Sequence, residues 1–220
     1  MKLLADLLAS GIAIGAIYGL IAMGFAVIYK ATGLVNFAEG EMSMITAYIA
    51  WTIATTLSGN VFVVVAGAIV AGVLLGLVVE RFIMRPMLGE PIFSTVLVTI
   101  GVAVVLRSLI TLIWDAYPHA LDVGVGKGVA HLAGVGLRSA QVAAVVTLLA
   151  IMAAFYLFFR YSKVGVAMRA VAADDRTALL MGVSAHRIHA IAWGCSSAIA
   201  GIAGVLFALV YDLSPAMFQI

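Results

Sequence analysis

The chain has 220 residues, 65% of them apolar and only 10% charged, with a formal charge of +2. Soluble domains run nearer 45–50% apolar and about 25% charged, so a water-soluble globule is excluded and lipid must solvate most of this hydrocarbon. The small, scattered positive charge excludes a nucleic-acid surface, and the one cysteine, Cys195, excludes an internal disulfide and reads as a small packing residue in a helix.

A bilayer core of about 30 Å takes roughly 20 apolar residues in helical form. Six runs approach that length, at residues 4–28, 41–57, 61–79, 92–114, 140–159 and 188–211. The first reads as a span and not as a cleaved signal, because its apolar stretch is too long and no small-residue cleavage region follows. The segment from Lys30 to Met42 predicts a breakpoint, with Asn36 and Gly40 favouring chain reversal and Phe37 and Met42 favouring burial. The second run is the shortest and most polar, which predicts a short or broken helix near residues 36–57.

Small residues recur at four-residue spacing: Gly11, Gly15 and Gly19 in the first run, Gly72 and Gly76 in the third, Ala200 and Gly204 in the sixth. In lipid such stripes let helix backbones approach closely. The expected fold is therefore all-α, a polytopic transmembrane bundle of about six spans, with residues 1–220 forming a single membrane domain.

Between the fifth and sixth runs, residues 160–187 form a long polar interruption holding five of the twelve Lys and Arg residues. Basic residues are retained on the cytoplasmic side during insertion, so this stretch reads as a cytoplasmic loop. Alternation then places the N-terminus outside. Lys30, Arg81, Arg85, Arg160, Lys163, Arg169, Arg176 and Arg187 fall inside, Lys2, Lys127 and Arg138 outside, and Arg107 within a span. In the loop, Asp174 or Asp175 can cap a short helix over 176–181, Gly182 suits a left-handed C-terminal position, and Ser184 offers an N-cap for the last span. That helix would carry Ala178, Leu179 and Met181 to the cytoplasm, or on composition alone lie as a surface helix against the bilayer.

The usual marks of an enzyme are missing from the sequence. Gly124-Val125-Gly126-Lys127-Gly128 fails as a phosphate loop, since Leu121 stands where the first glycine belongs and Gly128 where a Ser or Thr should hold magnesium. It reads as a glycine-rich outer loop. His186 and His189 share a helix face without a carboxylate partner in a metal-binding pattern, and Asp115, His119, Asp122 and His131 read as solvated loop residues. No nucleophile elbow occurs, and no cofactor or metal is implied. Glu39, Glu41 and Glu80 are placed near the cytoplasmic edge, which argues against an ion-driven carrier, for such carriers keep acids at membrane depth. Arg107 can snorkel or pair within the bundle. A passive channel or facilitator for a small polar solute is compatible with the glycine-rich spans.

Three ordered motifs then narrow the class. Lys30-Ala31-Thr32-Gly33-Leu34-Val35-Asn36-Phe37-Ala38-Glu39-Gly40-Glu41-Met42 resembles the N-terminal signature of permease subunits of bacterial branched-chain amino acid ABC importers, here carried by Asn36, Phe37, Gly40 and Glu41. Glu80-Arg81, followed by Arg85-Pro86, resembles the same family's cytoplasmic segment. Arg169, Asp174, Ala178, Met181 and Gly182 resemble the element that seats in a groove of the ATPase subunit. The resemblance implies transport of branched-chain or related small amino acids or amides into the cytoplasm. It implies two ATP-binding cassette subunits that hydrolyse ATP on separate chains, a second homologous permease and a periplasmic binding protein, all at the bacterial inner membrane. Relatives continue into further helices where this chain stops at Ile220, so the resemblance also implies a chain truncated at its C-terminus, either an unusually short member or a fragment.

Overall fold

Inside lipid an α-helix satisfies its own backbone hydrogen bonds, and helices dominate this chain. A computed structural model describes residues 2–115, 117–123, 129–132, 135–215 and 217. In chain order the helices are α1 (Lys2–Thr32), α2 (Glu39–Thr56), α3 (Val61–Val79), α4 (Ile92–Trp114), α5 (Ser139–Tyr161), α6 (Lys163–Ala173), α7 (Asp175–Leu180) and α8 (Ala185–Val210). Five of them, α1, α3, α4, α5 and α8, are long and apolar enough to cross a bilayer. The second expected run became α2, 18 residues long, whose first half is buried and includes Glu39, Glu41, Ser43 and Thr46. It survives in an apolar bundle because protein, not lipid, surrounds it. Outside the apolar runs the all-α expectation misses one feature, an antiparallel pair of strands β1 (Val129–Leu132) and β2 (Val135–Arg138). The glycine-rich stretch at 124–128 lies outside the described residues.

The predicted breakpoint falls between α1 and α2, made by the expected Asn36 together with Gly33 and not by Gly40. Gly33, at φ +69°, ends α1 in the left-handed conformation that glycine adopts without penalty. Gly40 lies inside α2, and Phe37 is 50% exposed where burial was expected, while Met42 is fully buried. Asn36 supplies the turn through its Oδ1, which accepts a 3.0 Å bond from the Ala38 N–H.

The centre of the bundle is a backbone-to-backbone seam. A Cβ built on Gly72 would lie 2.3 Å from the Ser197 carbonyl oxygen, one on Gly76 2.6 Å from that of Trp193, and one on Gly201 2.7 Å from that of Ala68. Thus the α3 glycines bring that helix against the α8 backbone, with the small Ser197 side chain set against Gly76. One turn around α8, Gly204 abuts the Ser43 carbonyl of α2 at 2.2 Å from its notional Cβ, and Ser43 Oγ donates to the Ala200 carbonyl at 2.7 Å. The stripe expected in α1 behaves differently. Gly19 meets Leu148 of α5 at 3.3 Å, but Gly11 and Gly15 have nothing within 4 Å among the described residues.

At one end of the bundle, residues 117–123 lie against the ends of α2 and α4. His119 and Leu213 exchange backbone bonds of 2.9 and 2.8 Å, and the His119 ring lies 4.4 Å from Trp51 and 6.1 Å from Tyr48. His119 is therefore part of an aromatic cap, contrary to its reading as a solvated loop residue. At the opposite end, α3 runs on through a π-helical turn, Glu80–Met84, into a 3₁₀ turn at Arg85–Met87 that carries Pro86.

Candidate functional site

Two places concentrate polar chemistry. The first is the start of α2. Glu39 is fully buried: its Oε1 lies 2.6 Å from Ser196 Oγ on α8, and its Oε2 accepts a 3.0 Å bond from Asn36 Nδ2. Ser196 Oγ also lies 2.9 Å from the Gly24 carbonyl oxygen of α1, so this one carboxyl ties three helices together. The Phe37 N–H donates to Thr99 Oγ1 of α4 at 3.2 Å, adding a fourth.

The depth of this cluster corrects the expectation for Glu39 and Glu41. At 1.5 Å per residue, Gly24 lies about 12 Å up α1 from Thr32, and Ser196 about 17 Å up α8 from Ala185. Both carboxylates thus sit well inside the bundle and away from its edge. The chain leaves α1 at Thr32, climbs back among the helices and starts α2 part-way across, which irregular backbone can do only where protein or a polar cavity receives it. Glu41, in the same first turn of α2 but on its opposite side, pairs with Arg107 of α4. Arg107 is therefore ion-paired within the bundle, one of the two options its sequence position left open.

The Ser196 hydroxyl has one proton for two acceptors, and a donor on side chain 39 completes the chain from Asn36 to Gly24. Glutamine carries such a donor and an acceptor. Glu39→Gln is expected to keep thermal stability in detergent within about 1 kcal/mol, whereas Glu39→Leu strands buried polar partners at about 1–3 kcal/mol each. Equal melting temperatures for the two variants would remove the network from the account of the fold.

The second place is the segment from α6 to the start of α8. The expected single short helix is in fact two. Ser162 Oγ accepts from the Gly165 N–H at 2.9 Å to open α6, and Gly165 is needed because a Cβ there would meet the Phe158 carbonyl at 2.6 Å. Val171 and Met168 bury against the bundle. Asp174 then caps α7: its Oδ1 accepts from the Thr177 N–H at 3.2 Å and its Oδ2 from the Thr177 hydroxyl at 2.6 Å. Gly182 closes the turn at φ +83°. Ser184 stands at the N-cap of α8, but its hydroxyl makes no capping bond.

The faces differ from expectation in one respect. Ala178 is 4% exposed and turned inward, while Leu180, passed over in the sequence, is 87% exposed beside Leu179 and Met181 at 64% and 80%. Arg169 and Asp174 are exposed. Of the Glu80 to Pro86 motif, Glu80 is buried with Arg85 Nε 3.5 Å from its Oε1, whereas Arg81 and Pro86 are exposed. An open pocket lies where α6 meets the ends of α1 and α8, lined by Thr32 and Gly33, by Val171, Ala172 and Asp174, and by His189.

Ser43, Thr99 and Ser196 went unremarked in the sequence because lone hydroxyl residues in an apolar run give no periodic signal. The available clue was the requirement that polar groups at membrane depth find partners, which links two glutamates after residue 36 to the serines of the last span.

Comparison with known proteins is consistent along the whole chain. The family model for the permease component of branched-chain amino acid transport systems matches residues 7–219. The high-affinity branched-chain amino acid transport system permease protein BraD of Pseudomonas aeruginosa is 30% identical over 218 residues, covering 94% of this chain and 71% of that protein. The corresponding permease protein LivH of Escherichia coli is 32% identical, covering 93% and 70%. No solved structure matches.

Proposed function

The chain belongs to the family of branched-chain amino acid transport permeases, and we propose that it is the membrane subunit through which an ATP-binding cassette importer moves branched-chain or related small amino acids into the cytoplasm. It is a multi-pass membrane protein with a transport role, and the finer assignments follow from joining the fold to the family. The proposed assembly pairs it with a second homologous permease, two ATPase subunits that hydrolyse the ATP, and a periplasmic binding protein, in the bacterial inner membrane with the N-terminus outside. Residues 160–187 of the single membrane domain 1–220 would then face the cytoplasm.

The observation that carries this reading is the tip of α7. Leu179 and Leu180 at the end of a six-residue helix and Met181 in the turn after it form a contiguous exposed apolar patch, held between Asp174 and Gly182. A solvated loop has no use for such a patch, whereas a soluble partner's groove does. Arg169 is exposed on the helix before, and inward-facing Ala178 seats the tip on the bundle. Movement of the tip would reach α1 and α8 through Val171 and Met168, the kind of packed connection that transmits a two-state change.

Reconstitution of the complete transporter in vesicles tests the reading. Leucine uptake is expected only when ATP, the ATPase subunits and the binding protein are all present. Uptake that persists without the ATPase subunits would instead establish a passive facilitator.

A further inference from the structure

The ion pair between Glu41 and Arg107 is more than the fold requires. α4 is 23 residues long, so Arg107 lies about 10 Å from its Trp114 end and about 22 Å from its Ile92 end, within hydrocarbon depth. Yet the Arg107 side chain is 37% exposed, against 8% for Glu41. Only Nη2 is engaged, donating to Glu41 Oε1, and the buried Nε makes no hydrogen bond among the described residues.

Snorkelling does not explain the exposure. The bonds from Phe37 to Thr99 and from Trp114 to Thr52 each join residues 62 apart, so α2 and α4 run side by side in constant register. In that register Glu41 is level with position 103, and Arg107 reaches back one turn to meet it. The guanidinium is thus drawn away from the nearer membrane surface. Its own helix offers no help either, since Ser108 and Thr111 bond back to carbonyls of α4. A partly exposed charge held at this depth fits a water-filled path and not a lipid face.

We propose that Arg107 is a substrate contact on the translocation path, receiving the α-carboxylate of a zwitterionic amino acid, with Glu41 holding the guanidinium in place. The unengaged N–H groups of a guanidinium fork match a carboxylate. The pair is formally neutral, as is the zwitterion, so a bound substrate adds no net charge to a low-dielectric site. The assignment rests on the amino acid importer reading and extends it to a residue.

The test exchanges the charges, Glu41→Arg with Arg107→Glu, in the assembled transporter, and measures leucine uptake per ATP hydrolysed. A purely structural pair is restored by the exchange. A carboxylate contact is not, and uptake per ATP is expected to fall roughly tenfold to a hundredfold, the scale of a charge-assisted contact. Arg107→Lys covers the case of a misfolded exchange: it keeps the charge but loses the fork, and a fall in uptake with normal assembly is expected. Wild-type uptake in either variant overturns the proposal. So does loss of the second permease on purification of Arg107→Lys, which would assign the carboxylate to that partner. Should the wild-type assembly itself move no leucine with ATP, the importer reading falls and not this contact alone.

Discussion

Gly76→Leu should prevent the bundle from closing. A Cβ at residue 76 would already lie 2.3 Å from Ser197 Oγ and 2.6 Å from the Trp193 carbonyl oxygen. The hydroxyl can rotate away, but the carbonyl belongs to a helix and can yield only if α8 moves bodily from α3. Overpacking a well-fitted core costs about 1–3 kcal/mol, and a leucine wedged against backbone belongs at or beyond the upper end. Because α8 also carries Ser196, the displacement would open the cluster around Glu39, so uptake should be lost along with stability. Gly11→Leu and Gly15→Leu make the control: nothing lies within 4 Å of either position, and each is expected to leave stability unchanged or raise it by up to about 1 kcal/mol, the helix-propensity gain over glycine. Unfolding in mixed micelles measures both. Equal stabilities for the residue 76 and residue 11 variants would show that the seam is not what holds α3 to α8.

Leu180→Asp combined with Met181→Asp should uncouple transport from ATP without harming the membrane fold. Both side chains are exposed, at 87% and 80%, so a charge there costs the isolated subunit little. In a partner's groove the same charge would be desolvated. Losing a buried apolar anchor costs about 2 kcal/mol, roughly thirtyfold in affinity. The expected result is an unchanged melting temperature, loss of the ATPase subunits on purification, and ATP-driven leucine uptake reduced at least about tenfold. Retained assembly and uptake would end the role proposed for the α7 tip. Asp174→Ala, which removes a helix cap worth about 1 kcal/mol, should give a milder version of the same defect.

Much of this architecture was legible in the amino acids. Apolar runs of about 20 residues can be satisfied in lipid only as helices, so α3 and α4 begin and end where the hydropathy pattern places them. Gly72, Gly76 and Gly204 advertised close backbone contact, and Gly182 its left-handed turn, because in each case only glycine fits without strain. The same logic over-reached at Gly11 and Gly15, since spacing marks a face that permits approach and does not say which helix arrives. It also missed α6, whose short amphipathic run lies inside a segment read for its charge.

Sequence by itself determined that this chain must live in lipid, roughly where it crosses, and to which transport family it belongs, because those properties follow from local composition and ordered motifs. Only the tertiary structure decided that α2 starts deep in the bundle, that Ser196 bonds both Glu39 and the Gly24 carbonyl and so joins three helices, and that Glu41 meets Arg107. Those contacts join residues 66 to 172 positions apart. A carboxylate next to a helix break looks the same in sequence whether the chain turns outward to water or folds back inward, and only the packing of the other helices chooses between them.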